Sequence, residues 1–148
     1  MERTPYQIME TYLLDVGAQG KTDLIPELAH ADMVDEANRA FGGPPGRDGL
    51  VAHVKGFRRA FDDLSISVNR IIASEDEVMA WWTFKGRHVR PWLGRAARNG
   101  PLTGTVFSFF TLDAGRIRRY RLWLCAEFDP PVVYDSSKPL NTQGLDLA

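Results

Sequence analysis

Gly104-Thr105-Val106-Phe107-Ser108-Phe109-Phe110-Thr111-Leu112-Asp113-Ala114-Gly115-Arg116-Ile117-Arg118-Arg119-Tyr120-Arg121-Leu122-Trp123-Leu124-Cys125-Ala126-Glu127 is the stretch that decides the fold. It holds two runs rich in Val, Phe, Thr, Tyr and Trp, residues that favour extended chain. Between them, Asp113-Ala114-Gly115 supplies turn chemistry. The reading is two long strands, Gly104 to Asp113 and Arg116 to Glu127. Alternation then assigns faces: if Leu122 points inward, Tyr120 and Leu124 do too, while Arg121 and Trp123 point outward.

Working backward, two more runs read as strands. Leu64 to Ala73 carries Ile66, Val68 and Ile71-Ile72, and Val78 to Val89 is rich in Trp, Thr, Phe and Val. On the latter, Ala80, Trp82 and Phe84 share the inner face and Trp81 takes the outer one. The first part of the chain has the helical period instead. Thr4 is a cap with Pro5 in the first turn, and Met9, Tyr12, Leu13 and Val16 share one face before Gly17 and Gly20 close it. Thr22 to Leu28 reads as a short helix weakened by Pro26. Met33 to Asn38 reads as a short strand, and Gly42-Gly43-Pro44-Pro45-Gly46 as a loop. Leu50, Val54, Phe57 and Phe61 mark a helix from Arg47 to Phe61, ended by Asp62-Asp63. Pro91 to Gly104 is basic and glycine-bearing, and reads as a mobile loop over a pocket.

Helices followed by four long strands mean α+β: a curved antiparallel sheet with helices packed on its concave face, enclosing a cone. Residues 1–133 form one domain, and residues 134–148 read as a flexible tail. The chain has 148 residues, enough for one sizeable core, and 18 basic against 19 acidic residues give a net charge of -1. That balance gives no electrostatic case for nucleic acid or an anionic membrane. Arg58, Arg59, Arg87, Arg90, Arg95 and Arg98 are dispersed and read as solvated. A single cysteine, Cys125, excludes an intrachain disulfide and a cysteine-rich zinc site, and reads as a packing residue. No apolar run nears the roughly 20 residues that cross a bilayer. The first residues lack a signal-peptide core, so the expected location is cytoplasmic.

The order of elements resembles the cone-shaped fold of nuclear transport factor 2 and its enzyme relatives, a cystatin-like architecture. Those relatives include the SnoaL-like polyketide cyclases, limonene-epoxide hydrolase and ketosteroid isomerase. The motifs that carry the resemblance are Gly46-Arg47-Asp48-Gly49 opening the long helix, Asp76-Glu77-Val78 opening a strand, Gly86-Arg87-His88, Gly100-Pro101-Leu102-Thr103-Gly104, and Leu112-Asp113-Ala114-Gly115-Arg116-Ile117. They span roughly Pro5 to Pro131. Carried over residue by residue, the epoxide-hydrolase Tyr-X-Asn water clamp falls on Glu36-Ala37-Asn38, its Arg-X-Asp pair on Trp82-Thr83-Phe84, and its second Asp on Leu122. The acid/base Asp of the cyclases falls on Leu122 or Cys125. The ionic relay is replaced by apolar groups, which cannot hold and release a proton.

The resemblance therefore implies a greasy chamber. Met33, Trp82, Phe84, His88, Leu122 and Leu124 are its expected substrate-binding wall, with a filled core as the plainer alternative. Glu36, Asn38 and Tyr120 are the candidate catalytic residues, each able to polarise a carbonyl. Glu36 would gain acid/base character by burial, or be a surface residue at a strand end. Asn38 would donate to a substrate carbonyl or cap a turn. His53 reads as a core-edge histidine and His88 as a residue at the pocket mouth. Neither a metal nor another cofactor is called for.

The functional expectation is a cofactor-independent polyketide or natural-product cyclase of the SnoaL-like kind, of the sort found in antibiotic biosynthesis. It would fold an apolar polyketide or polyene for intramolecular ring closure, such as a cycloaddition. The alternatives are an acid–base isomerase or epoxide-hydrolase-like enzyme using Glu36, and a non-catalytic dimer that carries a hydrophobic ligand. The partners expected are that small molecule and a second copy of the chain, paired through Trp81 and Trp123, with no nucleic acid and no membrane.

Overall fold

A computed structural model of the chain describes residues 2–40 and 43–138. Helix α1 (Pro5–Thr11) begins at the expected cap: the Thr4 hydroxyl accepts from the Gln7 amide and the Gln7 side chain accepts from the Thr4 amide. The helix then widens into a π-turn over Tyr12–Gly17, with the Ala18 amide donating to Leu13 O at 2.9 Å. A short 3-10 turn (Thr22–Leu24) and helix α2 (Ile25–Leu28) follow.

Strand β1 spans Ala29–Asp35, and Glu36–Ala40 coil into a 3-10 turn. The expected strand from Met33 to Asn38 is thus displaced toward the N-terminus. Asn38 explains the end of the strand. Its side chain accepts from the Gly43 amide at 3.1 Å and donates to Pro44 O at 3.0 Å, drawing the backbone out of extension. Gly42 lies outside the described residues.

Helix α3 (Arg47–Ala60) starts after Gly46, whose φ of 74° suits glycine. Asp48 in its first turn and Arg58 and Arg59 in its last complement its dipole. Arg58 also donates to Gly17 O and Ala18 O, both at 2.8 Å, tying α3 to the end of the π-turn.

The remaining strands are β2 (Phe61–Ala73), β3 (Glu77–His88), β4 (Gly100–Asp113), β5 (Arg116–Ala126) and β6 (Val132–Asp135). They form one sheet in the order β1-β5-β4-β3-β2, with β6 also on β5. All pairs are antiparallel except β1 with β5. Asp62-Asp63 does not end a helix; it begins a register shift in β2, with Asp63 at φ 52°. That shift, with others at Val68/Arg70 and Thr111/Leu112, curves the sheet around its helices.

Two further expectations change. Gly100 to Gly104 belong to β4 and not to a loop. Gly104 is required there by packing, because the Phe84 ring lies where its β-carbon would sit. The tail does not begin at residue 134. Val132 and Tyr134 alternate inward on β6, and Tyr134 is fully buried because the far half of β5 still has an edge to pair. Residues 139–148 lie outside those described. No helix among the described residues is long and apolar enough to cross a membrane.

Candidate active site

Alternation on three neighbouring strands points Trp82 and Phe84 of β3, Val106 and Ser108 of β4, and Tyr120, Leu122 and Leu124 of β5 toward the helices. The helices return Tyr12, Leu13 and Gly17 from the π-turn and His53, Val54 and Phe57 from α3. Between them lies an apolar cavity with about 490 Å³ of atom-free space, mouth included, of which about 40 Å³ admits the centre of a water molecule. Trp92, from the connection between β3 and β4, closes one side. Its indole packs on Phe57, Phe61 and Phe84 at centroid distances of 5.4–5.6 Å.

The cavity has one polar end. Trp82 Nε1 donates to Ser108 Oγ at 2.9 Å, and Ser108 Oγ lies 2.8 Å from Tyr120 Oη. The Tyr12 ring meets the Tyr120 ring edge-on at 5.6 Å. Burial pushes both phenols well above their ordinary value, and the neighbouring Asp35 charge adds to this. They therefore remain neutral donors at ordinary pH.

His53 stacks on the Tyr120 ring at 5.9 Å. Its Nδ1 lies 3.0 Å from Asp35 Oδ2, with the two side chains 10% and 1% exposed. The carboxylate, at the C-terminal end of β1, sits behind an imidazole in the cavity wall. This changes the expectation of a chamber whose ionic relay is replaced by apolar groups. His53 is more than a core-edge residue, and Asp35 escaped notice in the sequence. The only signal in the sequence was the place of His53 beside the apolar face of α3 marked by Leu50 and Phe57; nothing there pointed to Asp35 as its partner.

The expected site residues divide. Tyr120, Trp82, Phe84, Leu122 and Leu124 line the cavity together. Glu36, Asn38, Met33 and His88 do not. Glu36 accepts from Arg119 Nη1 at 2.6 Å, and that arginine is half exposed. It lies one residue past Asp35, where the 3-10 turn carries it away from the cavity. Asn38 holds the turn described above. Met33 is buried in the core. His88 is buried against Phe61 and Phe128 and accepts the Arg98 amide at Nδ1. Cys125 is partly exposed on the outer face of β5 rather than buried. Among the described residues, no three His, Cys, Asp or Glu side chains converge as a metal site.

The sequence model of the SnoaL-like polyketide cyclases matches residues 7–124, most of the chain. The chain belongs to this family. Solved structures agree on the fold. TsrD from Streptomyces laurentii superposes with a TM-score of 0.71 at 21% identity, over 80% of this chain and 85% of that one. A SnoaL-like polyketide cyclase from Agrobacterium tumefaciens gives 0.67 at 17% identity, over 84% and 91%. IdmH from Streptomyces antibioticus gives 0.65 at 20%, over 84% and 93%. No curated protein matches the sequence. Within the SnoaL-like family, then, this member has Leu122 and Phe84 on its cavity wall, and its buried ionisable pair stands on β1 and α3.

Proposed function

We propose that this SnoaL-like protein is a cofactor-independent cyclase. It folds a small, mostly apolar polyketide or polyene chain inside the cavity and holds two of its ends together for intramolecular ring closure. One observation carries the reading: Trp82, Phe84, Leu122 and Leu124 converge with Tyr12, Phe57 and Trp92 on one enclosed space that has a single polar end. Such a space rewards a compact, folded substrate by burial. It orients one carbonyl by hydrogen bonding, and reaction geometry alone is worth several kcal/mol, up to about 10. A substrate larger than a few atoms must displace Trp92, whose loop therefore gates entry. The protein is proposed to work in the cytoplasm as a homodimer.

The test is incubation with linear polyene β-keto thioesters of graded length, followed by chromatography and mass spectrometry. A ring-closed product of the same mass, or lighter by one water, is expected from the wild type. Trp82→Ala, which opens the wall, should cut its formation tenfold or more, while Trp82→Phe should retain an intermediate rate. Near-ultraviolet dichroism checks the fold of both variants. Tight binding of every chain without conversion would instead identify a carrier of hydrophobic ligands.

A further inference from the structure

A carboxylate and an imidazole meet at the polar end of the cavity. Asp35 is almost wholly buried, and its Oδ2 holds His53 Nδ1 at 3.0 Å. Its second oxygen, Oδ1, is also buried and accepts no hydrogen bond from the described protein. A buried carboxylate is costly unless it serves a partner. Here it fixes the ring of His53 so that Nδ1 carries the proton and Nε2 is the basic nitrogen. The ring is further held by stacking on Tyr120 and forms part of the cavity wall.

The same end supplies a donor. Trp82, Ser108 and Tyr120 bring three donor protons to two links: Trp82 to Ser108, and Ser108 to Tyr120. One hydroxyl proton is therefore available to an oxygen of a bound molecule. A fixed base beside a neutral hydroxyl donor, in a water-poor pocket, is the arrangement that enolisation requires.

We propose that Asp35 and His53 form the proton-transfer centre of this cavity. This rests on the chamber reading above and narrows its ring closure to one that begins with proton removal. His53 Nε2 takes a proton from the carbon next to the substrate carbonyl. The C–H electron pair becomes the enolate, whose oxygen accepts the available hydroxyl hydrogen bond. The enolate carbon attacks a second carbonyl carbon of the same molecule, and the new C–C bond forms as that carbonyl's π bond breaks and its electron pair moves to oxygen. The proton then returns from Nε2 to the atom that ends negatively charged. Nothing is gained or lost, and no co-reactant is needed. His53 is the catalytic residue and Asp35 a positioning residue.

The probe is 2-tetralone, an apolar bicyclic ketone with an acidic C–H beside its carbonyl. Its binding is followed by quenching of tryptophan fluorescence, and its deuterium uptake in heavy water by NMR. The wild type should accelerate exchange with saturation. His53→Gln and His53→Phe, the latter preserving the stack on Tyr120, should each lower the saturated rate about 10²-fold. Asp35→Asn should lower it tenfold or more with half-saturation unchanged, and nitrogen-15 spectra should show His53 losing its single tautomer. A merely structural Asp35 would alter binding and rate together and leave the tautomer intact. A ketone that binds yet exchanges no faster than in buffer, or exchanges as fast in the folded His53 variants, overturns the inference while sparing the chamber. A ketone that does not bind overturns both.

Discussion

His88 shows how one residue couples this fold to pH. Its ring is fully buried and accepts the Arg98 amide at Nδ1 with a separation of 3.1 Å. Burial pushes it below its ordinary value near 6.5, outweighing the pull of the Arg90 backbone. The unfolded chain thus takes up a proton at a higher pH than the folded one. The neutral-ring contribution to stability is complete above about 6.5 and is lost as pH falls from there toward the folded value. Urea midpoints should therefore drop between pH 7 and pH 5. His88→Gln, which can still accept the Arg98 amide, should show a shallower drop, and parallel slopes would refute the assignment. His88 was expected at the pocket mouth because it stands at a strand end beside the connecting loop; what the sequence hid is that Phe61 and Phe128 cover it. Asp35 and His53 were hidden for another reason. They lie 18 positions apart on different elements, and their meeting depends on how β1 docks beside β5, which no local pattern encodes.

At the level of elements, the connection between β3 and β4 is the segment whose behaviour the proposed gate depends on. Five backbone bonds pin it: Trp92 and Arg95 exchange a pair at 3.0 and 2.9 Å, the Val89 and Arg90 amides both donate to Ala60 O, and the Asn99 amide donates to His88 O. Against this, Trp92 Nε1 and Arg95 Nε are buried with no hydrogen-bond partner among the described residues. Each such group costs about 1–3 kcal/mol, and opening to water recovers it. The closed state is therefore cheap to leave although its side chains are buried. Amide exchange should be fast at 92–95 in the free protein and slow with a cavity ligand, while Gly100–Gly104 should be protected in both. Uniformly strong protection of 89–99 without ligand would remove the gate. The strands and α3 were legible to within a few residues, because β-branched and aromatic alternation and the 3.6-residue period are strong local signals. The end of β1 was not, since Asn38 overrides the run before it. Strand β6 was not either, since a run of four residues is too short to read as a strand without the open edge of β5 it pairs with, although Val and Tyr favour extension.

On the whole molecule, one apolar face has no cover among the described residues. Trp81, Phe107 and Trp123 are neighbours across β3, β4 and β5, and remain 44%, 37% and 36% exposed. Trp81 stacks flat on Phe107 at 6.2 Å, and Phe107 meets Trp123 edge-on at 5.8 Å. Val133 and Ile72 extend the exposed apolar surface toward both sides of the sheet, and Arg121 lies over the Phe109 ring at 4.9 Å. Isolated exposed hydrophobes are ordinary, but a contiguous aromatic row on an open sheet is the composition of an interface centre. In the proposed homodimer a second copy would cover this face. The row is central, on β3, β4 and β5, so a two-fold axis through Phe107 would lay each row on its counterpart. It also lies on the side of the sheet opposite the cavity, so pairing would stiffen β3, β4 and β5 behind the wall residues without blocking entry. Light scattering at micromolar concentration should give twice the 16.7 kDa chain mass. Trp81→Glu and Trp123→Glu should each yield a folded monomer, because both side chains lie outside the core and a buried charge at the centre of the interface is strongly unfavourable. A wild-type monomer with both indoles open to a soluble fluorescence quencher would show that the face serves another purpose.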